Sequence, residues 1–348
     1  TVWVGTQRDG ISIFDCEKQT FITNGVPNMI TRDITGLSPA ADGGIWITHY
    51  HLGIDYYSNK TKEVTHYRAK DIEGLSGNYW CATDDGKGHL YVGLHKGGLA
   101  VIDIQKRTAK VYQHNPEDPH SLPNNTVRCI FISQTNAIWI GTDNNGLYKY
   151  CKQKINNKII YCIEKVKIPG SRLENTSIRV VYTCRDGKVY IGTKEGYIYV
   201  LGTNNELSEI SSKYGITDEK IQDFNEDVYG TLWITTSKKV IRYNPKTHTA
   251  IYYSNSDGIN LTNLYKGASV LTSNNLLLIG GNNGLCTVNI NKLKHTNKPK
   301  VYHVYVTDLF VENKSVFSND KFGKYNADKS QLTAKYTDNN IRIEFSAL

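Results

Sequence analysis

Ala137-Ile138-Trp139-Ile140-Gly141-Thr142, followed by Asp143-Asn144-Asn145-Gly146-Leu147-Tyr148-Lys149-Tyr150, reads as an alternating apolar strand, a tight turn and a second alternating strand. Alternation of period two turns one face of each strand to a core, and the Asx/Gly cluster tolerates the positive φ of a hairpin turn. The same phrase recurs as Val2-Trp3-Val4-Gly5-Thr6, Ile45-Trp46-Ile47-Thr48, Leu90-Tyr91-Val92-Gly93-Leu94, Val189-Tyr190-Ile191-Gly192-Thr193, Leu232-Trp233-Ile234-Thr235 and Leu277-Leu278-Ile279-Gly280-Gly281. The seven copies, anchored at Trp3, Trp46, Tyr91, Trp139, Tyr190, Trp233 and Leu278, are spaced by 43, 45, 48, 51, 43 and 45 residues. A period in the forties with about four strands per unit is what a β-propeller blade requires. The chain is expected to be all-β, a seven-bladed β-propeller of four-stranded blades.

The unit around Trp139 shows the four strands best. They are Val127–Ile132 (A), Ala137–Thr142 (B), Leu147–Lys152 (C) and Ile159–Glu164 (D). Short turns such as Ala41-Asp42-Gly43-Gly44 and Arg185-Asp186-Gly187 join A to B, while D-to-A connections are longer and polar. The first unit opens at strand B, and the last has A, B and C before the basic stretch Lys292–Lys300. An open blade edge invites aggregation, so either a strand from elsewhere completes the first blade or that strand lies outside this piece of the protein. After Pro299 the signature disappears, and Val301–Thr307, Leu309–Val311 and Ile341–Leu348 read as strands of a β-sandwich cut short at Leu348. The expected domains are a propeller at 1–292, a linker at 293–300 and the truncated β-sandwich segment at 301–348.

Of the 348 residues, 24 are Tyr and one is Met, a balance suited to pleated sheet surfaces. No apolar run approaches the roughly 20 residues that cross a bilayer. Without an initiator Met, and with Thr1 already against a strand, the chain reads as part of a longer protein. Its formal charge of +8 is dispersed over short clusters. Solvated loops account for it, affinity for anionic carbohydrate is a secondary reading, and no basic stripe points to nucleic acid. The seven cysteines mostly occupy strand positions that suit a small hydrophobe, as buried free thiols would. Cys151 and Cys162 flank one connection and could bridge if the hairpin register allowed it.

Ser121-Leu-Pro-Asn-Asn-Thr-Val127, Ala137–Thr142 and Asn145-Gly-Leu-Tyr-Lys-Tyr150 together resemble the two-component regulator propeller repeat. The tail, Val304–Lys314 and Asn340–Leu348, resembles the start of the Tyr-rich, Ig-like sandwich domain that follows such propellers. The resemblance implies the sensor region of a hybrid two-component system, a membrane-anchored histidine kinase with its propellers in the periplasm. Such sensors commonly detect breakdown products of complex polysaccharides and switch on the genes that degrade them. It further implies an oligosaccharide partner, a homodimer in the full-length protein, and membrane contact only through segments absent from this chain. Two departures stand out: Thr235-Thr236 replaces Gly-Thr in the sixth unit, and Leu278 replaces Trp in the seventh.

One large ring per unit, at Trp46, Tyr91, Trp139, Tyr190 and Trp233, fits packing between blades; a sugar-stacking platform is the competing reading. B-to-C turns and D-to-A connections emerge on one face around the central channel, where a ligand is best placed. The B-to-C tips vary while the framework repeats. Candidate ligand-binding residues are therefore Arg8, His49, Tyr50, His51, His95, Lys96, Asn144, Asn145 and Lys194. Imidazoles with Arg or Lys nearby suit a carboxylate or sulfate. His49 and His51 lack a third zinc ligand, so no metal and no cofactor are expected. No nucleophile elbow, zinc-protease helix or P-loop is present, and no catalytic residue is expected. Acidic Asp84-Asp85 and Glu226-Asp227 fall in A-to-B turns on the opposite face. Three classes compete: a glycan-sensing module, a propeller lyase or glycosidase, and a protein-interaction scaffold.

Overall fold

Seven antiparallel sheets follow one another along the chain, each pairing its strands in sequence order. The first contains β1 (Val2–Gly5), β2 (Ile11–Asp15) and β3 (Thr20–Ile22). The second contains β4 (Ile34–Pro39), β5 (Ile45–His49), β6 (Gly53–Tyr57) and β7 (Val64–Arg68). The third contains β8 (Asn78–Asp84), β9 (His89–His95), β10 (Gly98–Asp103) and β11 (Thr108–Tyr112). The fourth contains β12 (Val127–Ile132), β13 (Ile138–Thr142), β14 (Leu147–Ile155) and β15 (Lys158–Lys165). The fifth contains β16 (Ile178–Thr183), β17 (Val189–Thr193), β18 (Ile198–Leu201) and β19 (Leu207–Glu209). The sixth contains β20 (Ile221–Glu226), β21 (Leu232–Thr236), β22 (Val240–Asn244) and β23 (Thr249–Tyr253), and the seventh β24 (Leu264–Leu271), β25 (Leu276–Gly281) and β26 (Gly284–Asn289). The computed structural model describes residues 1–22, 26–75, 77–133, 135–155, 158–167, 172–203, 206–216, 219–293, 304–316, 324–326, 331–333 and 340–347. By internal contacts the chain divides into two units, Thr1–Ile290 and Asn291–Leu348. The linker expected at 293–300 lies, beyond its first residue, outside the described residues.

The sheets of the first unit pack face to face in a cycle. Ile11 and Val26 of the first unit of the repeat cluster with Ile34, Ile47 and Tyr57 of the second sheet. Trp46 and Ile54 pack with Tyr79, Leu90 and Val92 of the third, and Tyr91 and Leu99 with Ile130, Ile140 and Tyr148 of the fourth. Trp139 and Leu147 meet Ile178, Val181 and Ile191, and Tyr190 and Ile198 meet Phe224, Ile234 and Ile241. Between the sixth and seventh sheets the Asn225 amide donates to Ser269 Oγ at 2.8 Å. The cycle then closes on itself, because Phe14 of β2 is buried with Leu276 and Leu278 of β25. This is the propeller that the period predicts. Among the described residues the first and last sheets have three strands each, and side-chain packing joins them.

The glycine of the repeated phrase has a steric reason. A Cβ on Gly141 would lie 2.5 Å from Cys129 Sγ and 2.7 Å from Ile178 Cγ2 of the next sheet's first strand. On Gly192 it would lie 2.5 Å from Ile221 Cγ2, and on Gly5 2.7 Å from Ile34 Cγ2. In the second sheet Thr48 occupies this position and the small residue moves across the ladder to Gly36, whose own Cβ would meet Thr48 Oγ1 at 2.9 Å. One missing side chain at this level lets neighbouring sheets close to native packing density.

The repeated rings are packing residues. Trp46, Tyr91, Trp139, Tyr190 and Trp233 are all buried between sheets. Acidic residues of the A-to-B turns serve two of the indoles: Trp46 Nε1 donates to Asp84 Oδ2 at 2.9 Å, and Trp233 Nε1 to Asp227 Oδ2 at 3.0 Å. The second unit has β27 (Val304–Val311), β28 (Lys314–Ser315), β29 (Lys324–Asn326), β30 (Gln331–Thr333) and β31 (Ile341–Ala347). The two strands expected before Val311 are one strand, β27, whose register against β31 slips between Val306 and Asp308. Leu309, Val311 and Val316 form its buried cluster.

Candidate functional site at the mouth of the ring

In five sheets the innermost strand and its partner fall out of step at the same level. The slips lie between Ile34 and Gly36, Tyr79 and Cys81, Val127 and Cys129, Ile178 and Val180, and Ile221 and Asp223. Each is a bulge, in which an extra residue re-aims its side chain. The extra residues are Thr35, Trp80, Arg128, Arg179 and Gln222. The seventh sheet exaggerates the device: Leu264 pairs with Gly281 and Ser269 with Ile279, so the stretch 265–268 stands out of the ladder opposite Gly280.

Trp80, Arg128, Arg179, Gln222 and Lys266 form a cluster, while the Thr35 hydroxyl donates to the Tyr79 carbonyl at 2.7 Å. Arg128 lies with its guanidinium carbon 3.8 Å from the centre of the Trp80 ring, and its Nη2 donates to Asp143 Oδ2 at 2.9 Å. Asp143 Oδ1 accepts from Ser177 Oγ at 3.0 Å. Arg179 Nη2 donates to Gln222 Oε1 at 2.7 Å, and Gln222 Nε2 donates to the Leu264 carbonyl at 2.8 Å. Lys266 Nζ donates to the Arg128 carbonyl, bringing a side chain of the seventh sheet to the inner strand of the fourth. Beneath it Asp223, which accepts from Ser269 Oγ at 2.9 Å, has a carboxyl pushed up to about 6 by burial.

Two buried side-chain atoms here lack a protein partner. Arg179 Nε and His95 Nδ1 are buried atoms with no hydrogen bond. An unmet donor costs about 1–3 kcal/mol, and more on a charged group. Burial, then the nearby Arg128 charge, lowers the Arg179 pKa. The His95 ring lies 4.8 Å from that of Trp80, and burial followed by the Arg128 and Lys96 charges lowers its pKa. Burial would raise the Asp143 carboxyl, but Arg128 and Ser177 hold it below its ordinary value. The cluster is therefore a partly dry, net cationic surface with a spare donor at Arg179 Nε, which an anionic group can satisfy.

The structure distributes the sequence-predicted residues unevenly. His95, Lys96, Asn144 and Lys194 gather around Arg128 and Asp143. Asn144 Oδ1 accepts from Ser177 Oγ at 2.6 Å, the Lys194 amide donates to the Ser177 carbonyl at 2.9 Å, and Lys96 is exposed. Asn145 Oδ1 accepts from Asn124 of the connection before β12 at 2.6 Å. Arg8 is exposed in the first B-to-C turn, and exposed His51 bonds Asn78 Oδ1 through Nδ1 at 2.8 Å beside the half-buried Tyr50. His49 is a correction in physical terms. It is fully buried, its Nε2 bound to Asp55 Oδ2 at 2.9 Å and its Nδ1 to Thr31 at 3.3 Å, so neither nitrogen is presented to a ligand. His66 Nδ1 holds the other Asp55 oxygen at 2.7 Å, and the Ile30 amide adds a third bond.

Arg128, Arg179, Trp80, Gln222 and Lys266 escape a reading based on turn tips. The signal was present in the first residues of each A strand, where strict alternation breaks once per unit. Among the described residues no group of three or more His, Cys, Asp or Glu is placed to hold a metal ion. A separate cavity of about 230 Å³ lies between the third and fourth sheets, lined by His89, Asp103, Lys110, Tyr91, Tyr112 and Tyr150 among others. It sits at the A-to-B end of the strands, away from the bulge ring. Two of its tyrosines, Tyr112 and Tyr150, share a hydrogen bond of 3.0 Å. The unmet buried atoms favour the bulge ring.

Residues 121–144 match the family model described as two component regulator propeller. The match falls on the stretch that carries the resemblance drawn from sequence. Histidine kinase P4 of Formosa agariphila is 23% identical over 331 residues, covering 90% of this chain and 23% of that protein. An extracellular domain assigned to a hybrid two-component system of B. thetaiotaomicron superposes with a TM-score of 0.63 at 18% identity, over 90% of this chain and 42% of that one. Virginiamycin B lyase from Staphylococcus aureus superposes with a TM-score of 0.62 at 14% identity, over 82% of this chain and 89% of that one. Both superpositions report the propeller fold. The chain spans about a quarter of the kinase it resembles and under half of the extracellular domain.

Proposed function

We propose that this chain is the extracytoplasmic, periplasmic sensing part of a hybrid two-component histidine kinase. In this reading it binds breakdown products of polysaccharides and thereby controls genes for glycan use. The observation that carries the ligand side is the bulge ring. Five sheets turn an extra side chain into one mouth, and Arg179 and His95 keep buried donor or acceptor atoms without a partner there. A fragment bearing a carboxylate or sulfate would satisfy those groups and offset the Arg128, Arg179 and Lys266 charges. Ligand binding would then act by favouring one arrangement of the sensor over another. Similarity to a histidine kinase along 90% of the chain supports the signalling side.

Calorimetric titration with neutral and acidic oligosaccharides tests the reading. Acidic fragments are expected to give heat, and Arg179→Met to weaken them by about tenfold or more, as loss of a charged hydrogen bond of about 1.5–3 kcal/mol implies. Absence of heat across the panel would overturn direct sensing. New reducing ends in the same incubations would replace it with an enzymatic function.

A further inference from the structure

Cys151 of β14 and Cys162 of β15 stand directly opposite each other in the antiparallel ladder. Opposed residues carry their side chains on one face with Cα atoms about 4.5–5.5 Å apart. A disulfide needs about 4.4–6.8 Å. Both sulfurs converge on one carboxylate: Cys151 Sγ is 3.4 Å from Glu164 Oε2, and Cys162 Sγ is 3.8 Å from Glu164 Oε1. Cys162 Sγ also lies 3.8 Å from the Cys151 carbonyl oxygen. The other inner cysteines behave differently, Cys81 and Cys129 filling the space beside Gly93 and Gly141. Among the described residues no second pair of cysteines is matched across a ladder.

Position gives the pair a purpose. The β13 ladder ends where Ile138 pairs with Tyr150, yet β14 and β15 continue from Cys151↔Cys162 to Ile155↔Lys158. Beyond Tyr150 no third strand pairs with this hairpin among the described residues, and two-stranded ribbons are marginal in water. We propose that Cys151 and Cys162 are joined by a cross-strand disulfide that clamps the base of this ribbon when the chain is in an oxidising compartment. The compartment rests on the extracytoplasmic reading above; the geometry does not.

The chemistry balances as ordinary thiol–disulfide exchange. One cysteine thiolate attacks a sulfur of an external disulfide, such as glutathione disulfide or a disulfide-bearing oxidase, and releases one thiol. The second cysteine attacks the mixed disulfide, forms the Cys151–Cys162 bond and releases the other thiol. Two protons pass from the cysteines to the two departing thiolates. Burial and Glu164 push the Cys151 thiol up to about 11 and raise that of Cys162, so both thiolates are disfavoured. A disulfide between such sulfurs resists reduction, which suits a permanent clamp.

The purified chain is equilibrated with a glutathione/glutathione disulfide mixture, denatured, alkylated and mapped without reduction. One linkage, Cys151 to Cys162, is expected, with the other five of the seven thiols alkylated. Cys151→Ser should free Cys162, leave the circular dichroism spectrum intact and speed tryptic cleavage within residues 152–158. Full alkylation of both cysteines in the oxidised wild type, or linkage to any other cysteine, overturns the proposal. Acid-trapping the chain from the envelope of an expressing cell separates the two claims. A bond that forms in buffer but is missing in the envelope would overturn the compartment and leave the disulfide standing.

Discussion

Lys266 donates its ammonium hydrogen bond to the backbone carbonyl of Arg128, so the last sheet of the ring is tied to the fourth. The bulge at 265–268 makes this reach possible, and the contact holds the backbone that aims Arg128 at Trp80 and Asp143. A charged hydrogen bond of this kind is worth about 1.5–3 kcal/mol. Lys266→Met should therefore lower stability by about that amount in denaturant unfolding. Amide exchange should quicken around Arg128 while the outer strands of the same sheet stay protected.

Gly141→Ala tests why the repeated phrase carries glycine. The added methyl meets Cys129 Sγ at 2.5 Å and Ile178 Cγ2 at 2.7 Å, forcing two sheets apart. Overpacking of this kind costs about 1–3 kcal/mol. Gly280→Ala, whose methyl meets nothing nearer than Ala268 at 3.3 Å, should cost clearly less. Equal losses in the two variants would show that the close approach is not what selects glycine.

Asp55 predicts a pH dependence. Burial alone would raise its carboxyl, but hydrogen bonds from His49, His66 and the Ile30 amide outweigh it and hold the pKa below 3.8. A carboxyl depressed in the fold favours folding when ionised. Its contribution is complete above the unfolded value near about 3.9 and drains away as pH falls through the folded value. Asp55→Asn should cost about 1–3 kcal/mol at pH 7 and above. The gap to wild type, followed by denaturant midpoints from neutral pH downward, should narrow below about pH 4.

Much of the architecture was legible because burial in a strand is recorded locally. The forty-odd-residue refrain announced the radial repeat, and its shortened first and last copies announced the three-stranded first and last sheets seen among the described residues. The rings at Trp46 and Trp233 were readable as packing residues for the same reason. The site was only half legible. His95, Lys96, Asn144 and Lys194 reach it through their turns, but Arg128, Arg179 and Gln222 reach it through a slip in strand pairing. His49 reads as a loop histidine and is instead drawn inward by Asp55.

The amino-acid order by itself determined the period, the alternation and the small residue at each close approach, since each depends on neighbours a few positions away. Tertiary structure alone decided which side chains share the mouth of the ring, that Lys266 meets Arg128, and that Cys151 faces Cys162. Those facts depend on ladder register and on contacts between distant sheets, where a shift of one residue turns a side chain to the opposite face.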